Sequence, residues 1–482
     1  MDFSVTFFAF LTITILLFYG VRPKKMRPYV LLCASLLFIA HLSPSALIAI
    51  LTAAATTYVM SLIMVRLAKS GLDKWVKAVY VFSVILAVGN LFLHKYAYWL
   101  LCRMFKIEGL YPYLNELVIP LGLSFYTFQI IDYLTRVYKK EDIFTYNPLE
   151  LVLYLTYFPK IMSGPIERAD SFKASISVGR LTGVKLFDEG RVVSAVTAVL
   201  LGFFMKIVIA DRALLFTQKA FLYPEYFGGG ALALASLIYT IEIYADFAGY
   251  SLIAVGVSKF FGIDLVNNFD APYFSENITE FWRRWHISLG SFLKDYIYIP
   301  LGGNRKGNMR QYLNLAVVFI VCGLWHGAAV RFIFWGFLHA LFSVASRWAL
   351  KKNIKFLVKG ISGRIITFCL VSFAWIFFAS EYFRGAVHFI KCMFTSLTHD
   401  PFGGYKLYSE VFTEFWVLLV MTVLLFVFEY IAYKKGKCLY EYIAGANYIV
   451  RYVFWYVLIM IIFVMGIYGT EVGNAQFIYM YF

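Results

Sequence analysis

Charge is what this sequence has least of. Only 15% of its 482 residues are Asp, Glu, Lys or Arg, and 61% are hydrophobic, whereas a soluble domain carries about 25% charged residues to wet its surface. With a mean hydropathy of +0.73, the chain has too little polar surface to cover a water-facing body of this length, so the excess apolar surface must face lipid. Cysteine is also sparse. The six (33, 102, 322, 369, 392 and 438) lie scattered, mostly inside apolar runs, with no C-x-x-C pair, which excludes a secreted disulfide framework and a zinc-ribbon site. The seven histidines show no H-E-x-x-H and no close H-x-H spacing, so no metal site is expected. Internal repeats and low-complexity linkers are absent as well, and the chain reads as one membrane domain, 1–482. The missing inverted repeats argue mildly against a transporter.

What charge there is leans basic, 44 Lys+Arg against 28 Asp+Glu for a net +16. The basic residues cluster between apolar runs, at Arg22–Arg27 (RPKKMR), Arg66–Lys77 and Asn304–Arg310. That is the pattern of the positive-inside rule, and it excludes a nucleic-acid-binding surface as the cause. The apolar segment at 3–20 has its charges after it and no small-residue cleavage site, so it reads as a first membrane helix. Runs near the ~20 residues needed to cross the hydrocarbon recur from 3–20 through 448–470, predicting an all-α polytopic protein of about eleven spans with some half-helices. RPKKMR and the 66–77 loop place both loops in the cytoplasm and both termini outside.

Between about 264 and 310 the pattern breaks. In Glu276–Pro300, Trp282, Trp285, Leu289, Phe292 and Leu293 recur at helical spacing with Arg283, Arg284, His286, Lys294 and Asp295 interleaved. Asn277 or Ser275 can cap the start. Such a segment is too charged to span lipid alone. It is either an interfacial helix or a segment buried around a polar cavity. Next comes GLWHGA, Gly323–Ala328, inside the apolar run 313–330. Burial there keeps an imidazole neutral, and a neutral imidazole can take the proton of an attacking hydroxyl in acyl transfer from a thioester. The alternative for His326 is a hydrogen bond to a neighbouring helix. His339, also in an apolar run, fits a packed core or a cavity.

Five stretches carry a family resemblance: PLGLSFYTFQ (120–129), YFPKIMSGPIERADSF (157–172), DFAGYSLIAVGVSKFFGI (246–263), the run from NNFDAPYF to GGNRKG (267–307), and GLWHGA (323–328). Together they resemble the membrane-bound O-acyltransferase family, with its alginate O-acetylase and peptidoglycan O-acetyltransferase branch most similar. The likeness is densest over about 115–345. It implies a helical barrel around a central tunnel in the bacterial cytoplasmic membrane. It also implies His326 as catalytic base, His286 as its companion, and Asp246, Arg283, Arg284 and Trp325 as tunnel-lining or supporting residues. Asp246, in an apolar run, needs a cationic or hydrogen-bonding partner, for which Arg283 or Arg284 is the candidate. Arg305 and Lys306 either hold the phosphates of an acyl donor or follow the positive-inside rule.

In the tail 471–482, FIYMYF resembles the aromatic end of many bacterial members, departing from it at Met480. There Tyr479 is either an acyl relay or an interface anchor. The implied reaction takes acyl from acetyl-CoA or an acyl carrier protein, with no bound cofactor. Its expected partners are membrane lipid and an extracytoplasmic SGNH-type acetyltransferase or other polysaccharide-modifying protein. The alternatives are D-alanyl transfer to teichoic acid and a transporter without chemistry.

Overall fold

The computed structural model of the chain describes residues 5–107, 119–139, 145–396, 403 and 412–468. Every regular element among them is helical. Nine helices are long and apolar enough to cross a membrane, and Thr6–Gly20 is a shorter apolar helix. Half-helices also occur where the sequence predicts shortened runs. Within the described part of the run 117–137, a helix starts at Leu123, after Gly122 turns the chain at φ +72°. The run 149–163 stops at Thr156.

The described residues group into two compact units, one comprising 1–195 and 254–266, the other 196–253 and 267–482. The first contains α1 (Val5–Gly20), α2 (Arg27–Leu42), α3 (Pro44–Lys69), α4 (Asp73–Lys95), α5 (Leu123–Tyr138), α6 (Pro148–Thr156) and α7 (Ala169–Ile176). Local chemistry sets their starts. Ser43 caps α3 ahead of Pro44, and Asn147 with Glu150 forms a reciprocal capping box on α6, satisfying backbone donors that a helix start leaves open. Buried charge is met from within the unit. Arg27 donates to the carbonyls of Phe18, Leu181 and Val184 at 3.1, 2.6 and 2.8 Å. The Asp132 carboxylate accepts from Arg136, Arg168 and the α7 backbone at Ala169, at 3.2, 3.1 and 2.7 Å.

Helices α8 (Glu189–Phe203) and α10 (Gly229–Phe260) run from one unit into the other, and α9 (Asp211–Leu222) lies in the second. There, Gly202 and Gly249 let two backbones approach so closely that a Cβ on Gly202 would stand 2.6 Å from the Gly249 carbonyl. One turn away, in a π-helical stretch at Phe204–Ala210, Lys206 binds Asp246 at 2.6 Å and Asp211 at 2.8 Å. This corrects the expected pairing of Asp246 with Arg283 or Arg284. The nearer cation sits where the glycines allow close approach, which spacing along the sequence does not reveal.

The second unit continues with α11 (Ile278–Arg284), α12 (Ile287–Leu293), α13 (Asn308–His326), α14 (Val330–Lys351), α15 (Gly360–Ala379), α16 (Phe412–Lys434) and α17 (Tyr448–Met465). Helices α13 and α14 form a tight hairpin through Gly323 and Gly336, whose Cα atoms would lie about 3.5 Å from each other's added Cβ. A Cβ on Gly336 would stand 2.3 Å from the Phe319 carbonyl oxygen.

Backbone cannot yield there, so Gly336→Ala is expected to destabilise the protein by about 1–3 kcal/mol through overpacking. Gly179→Ala meets nothing within 4 Å and should leave stability unchanged or slightly raised. Thermal unfolding of the two variants in detergent checks this, and equal midpoints would contradict it.

Candidate active site

Helix α13 ends at His326 because the chain must reverse there. Gly327 and Ala329 close the turn, with the Ala329 amide donating to the Gly327 carbonyl at 2.9 Å. A Cβ on Gly327 would press into the Phe332 ring at 2.4 Å. The imidazole is therefore held at a hairpin tip and buried, 2% exposed. Its ring centre lies 4.8 Å from Trp325, 5.1 Å from Trp335 and 5.0 Å from Phe378, each pair near edge-to-face, the arrangement that aromatic quadrupoles favour. Arg331 fixes the last of these neighbours by donating to the Phe378 and Ser380 carbonyls at the end of α15, at 2.6 and 2.5 Å.

His286 arrives by a different route. Residues expected to continue one helix through 276–300 form two short ones, α11 and α12. Between them Trp285 is extended and His286 takes a left-handed conformation, φ +44° and ψ +55°. For a non-glycine residue that conformation persists only where surroundings impose it. Here the surroundings are the strand-like stretch 268–270. The Asn268 carbonyl accepts from the Ile287 amide at 2.9 Å, and the Asp270 amide donates to the Arg284 carbonyl at 3.0 Å. The Asn268 side chain accepts from the Ser288 hydroxyl at 2.6 Å and donates to Ser251 at 3.2 Å. Asn277 caps α11 as expected, accepting from the Glu280 amide at 2.9 Å.

Of the two placements open to this segment, burial inside the protein is the one observed. Trp285 and His286 are each 1% exposed, so the indole is not available to anchor at lipid headgroups. The His286 ring packs edge-on to Phe247 at 4.7 Å and lies 6.0 Å from Trp325. The two histidines, forty positions apart, thus flank one indole. Their ring centres are no farther apart than the 6.0 Å and 4.8 Å spans laid end to end.

Other expected site residues fall elsewhere. Arg284 is committed to Asp270 at 2.5 Å and Glu280 at 3.0 Å, and Arg283 is exposed. Arg305 and Lys306 are exposed just before α13. Eighteen helical steps, about 27 Å, separate their end of α13 from His326. Lys351, which bonds Asn308, sits at that same end, and Lys352, Lys355 and Lys359 follow it in the chain. Tyr479 lies outside the described residues. Asn268, Ser288, Trp335 and Arg331 were not singled out from sequence. Asn268 and Ser288 stand inside the 267–307 resemblance, which was the available signal for them. His339 accepts from the Trp282 indole at 3.3 Å and is fully buried, in keeping with a core role.

A sequence model of the membrane-bound O-acyltransferase family matches residues 50–383, which include both histidines, the hairpin and the Asn268 stretch. The chain belongs to the membrane-bound O-acyltransferase family. With nine apolar helices long enough to span among its described residues, it is a multi-pass membrane protein. It is similar to a probable alginate O-acetylase of Pseudomonas aeruginosa, 36% identical over 288 residues that cover 60% of this chain and 54% of that protein. It is also similar to a peptidoglycan O-acetyltransferase of Helicobacter pylori, 34% identical over 308 residues covering 58% and 57%. A teichoic acid D-alanyltransferase of Bacillus subtilis is 27% identical over 292 residues covering 56% and 71%. The chain thus spans little more than half the length of the first two relatives.

Burial pushes the His286 imidazole down from its ordinary 6.5 to about 3. Between those values an unfolded chain binds a proton that this folded membrane-bound O-acyltransferase family member does not, so stability rises with pH through the window. The contribution is complete above 6.5 and lost as pH falls toward 3. By pH 5 about 2 kcal/mol of it is gone. His286→Gln should therefore flatten the fall in unfolding temperature between pH 7 and 5. An identical slope in both proteins would count against a buried, neutral His286.

Proposed function

We propose that the chain, acting as one domain over 1–482, is an O-acyltransferase of the bacterial cytoplasmic membrane. It passes acetyl from a thioester donor on the cytoplasmic side toward a hydroxyl on the outer side, for O-acetylation of an envelope or extracellular polysaccharide. The observation that carries this reading is the pair of buried imidazoles flanking Trp325 within the stretch matched to the family.

The chemistry asks for a base in a dry site. One His326 ring nitrogen takes the proton of the acceptor hydroxyl as its oxygen attacks the thioester carbonyl. The carbon–sulfur bond breaks, and the proton passes to the departing thiolate. His286 assists from across the indole, kept neutral by burial. The helix ends support a direction for the transfer. The end of α13 and α14 that holds Arg305, Lys306, Arg310, Lys351 and Lys352 is the basic one, which the positive-inside rule assigns to the cytoplasm. His326 stands at the opposite end. In this reading the donor, acetyl-CoA or an acyl carrier protein, docks near Arg305 and Lys306 and reaches inward through a tunnel in the helical barrel. Asp246, paired to Lys206, supports the wall. Tyr479 in the aromatic tail hands acetyl to an extracytoplasmic SGNH-type acetyltransferase or another polysaccharide-modifying partner.

Acetyl is favoured over D-alanyl because the relatives named for acetylation are 34–36% identical and the one named for D-alanyl transfer 27%. In a host that O-acetylates a surface polymer, His326→Ala should lower the acetate released from that polymer by about 10²-fold or more, with unchanged amounts of protein in the membrane. Acetate release at the normal level would remove His326 from the mechanism. Release of D-alanine in place of acetate would replace the acetyl reading with the alternative.

A further inference from the structure

In the first unit a cavity of about 330 Å³ lies among α3, α4 and α5. Its wall runs from Ala49 to Met60 on α3, eleven helical steps or about 16 Å. A slot of that length and volume is long and narrow enough to take one extended hydrocarbon chain. A second helix, 10 Å or more across, does not fit.

The ends of the cavity differ. At the Met60 end two hydrogen bonds close it, Tyr133 to Ser61 at 3.1 Å and Tyr80 with Thr135 at 3.0 Å. At the other end stand Asn90 and Tyr126. The Tyr126 hydroxyl is buried, 1% exposed; the Asn90 side chain is its polar neighbour and a donor to its oxygen, and its own proton meets no acceptor at hydrogen-bonding distance among the described residues. Elsewhere on the wall Thr52, Thr56, Ser83 and Thr127 donate to carbonyls of their own helices at 2.8, 2.8, 2.7 and 2.7 Å.

Both α3 and α4 are long and apolar enough to cross the bilayer. Thr52, Thr56 and Leu86 on the cavity's rim are exposed, so it opens sideways toward lipid. The basic loop Arg66–Lys77 places the Met60 end toward the cytoplasm and the Asn90 end toward the outer leaflet. Asn90 lies five residues before the end of α4 at Lys95, about 7 Å along the helix, which is within reach of the ester groups at the hydrocarbon boundary.

We infer that this cavity binds a single acyl chain of an outer-leaflet glycerolipid, with the Tyr126 hydroxyl donating to the chain's ester carbonyl. The inference stands on the first unit alone and does not depend on the acyl-transfer reading.

Full-length protein in nanodiscs, with phosphatidylethanolamine carrying a diazirine in mid-chain, tests the location without any substitution. Photolysis should label peptides containing Ala49–Met60 and Ser83–Asn90 above the other lipid-exposed helices. Ala53→Phe, which fills the slot, should remove that enrichment. In native mass spectrometry of the delipidated protein, Tyr126→Phe should weaken phosphatidylethanolamine retention about fivefold. The ether-linked analogue should show the same loss on the unaltered protein and no further loss on Tyr126→Phe. Label spread evenly over the exposed helices would overturn the site. So would enrichment that survives Ala53→Phe, the outcome expected if the lipid lay against the outer faces of the helices and not in the cavity. Equal retention of ester and ether lipids would overturn the role of Tyr126.

Discussion

A polar group that leaves water in a chain this apolar must find its counterpart within the protein, because hydrocarbon offers none. That requirement organises what is seen around the site. Lys206 draws Asp246 and Asp211 together. The Tyr244 hydroxyl reaches Glu429, and Arg212 meets Glu414 and the Met465 carbonyl at 2.6 Å each. A buried ion pair of this kind adds little net stability, but removing one member strands the other at a cost of several kcal/mol. Such pairs therefore fix which helices lie together more than they tighten them.

The same requirement shapes the backbone at His286. A continuous helix through 276–300 would satisfy its own amides and carry His286 on the face next to Arg283. The break instead gives the Ile287 amide to the Asn268 carbonyl and the Arg284 carbonyl to the Asp270 amide, and the imidazole turns into the aromatic interior beside Phe247 and Trp325. His326 reaches that indole from a hairpin tip whose tightness depends on Gly323, Gly327 and Gly336. Two unlike backbone devices, a left-handed break and a glycine-packed reversal, thus present imidazole rings to one neighbour.

Much of this was readable before any coordinates. Scarce charge and long apolar runs state the membrane character, and the motifs around His286 and His326 mark the two segments that meet at Trp325. The Asn277 cap follows from residue type and place. The break at His286 was not readable, because Trp282, Trp285, Leu289 and Phe292 keep helical spacing whether or not the helix is continuous. Nor was the partner of Asp246. Lys206 sits inside an apolar run, and only the approach of Gly202 to Gly249, one turn from each charge, brings the two together. The glycines were visible, but their being opposite each other is a tertiary fact.

The central claim is that the two imidazoles serve one reacting centre across Trp325. A double-mutant cycle on initial acyl-transfer rate, using His286→Asn, His326→Asn and the double variant in membranes supplied with a thioester donor, tests it most directly. Groups acting as a unit lose most of their effect at the first removal, so the double variant should be no more than a few-fold slower than His326→Asn alone. Losses that multiply, each histidine contributing its full factor independently of the other, would contradict a shared centre.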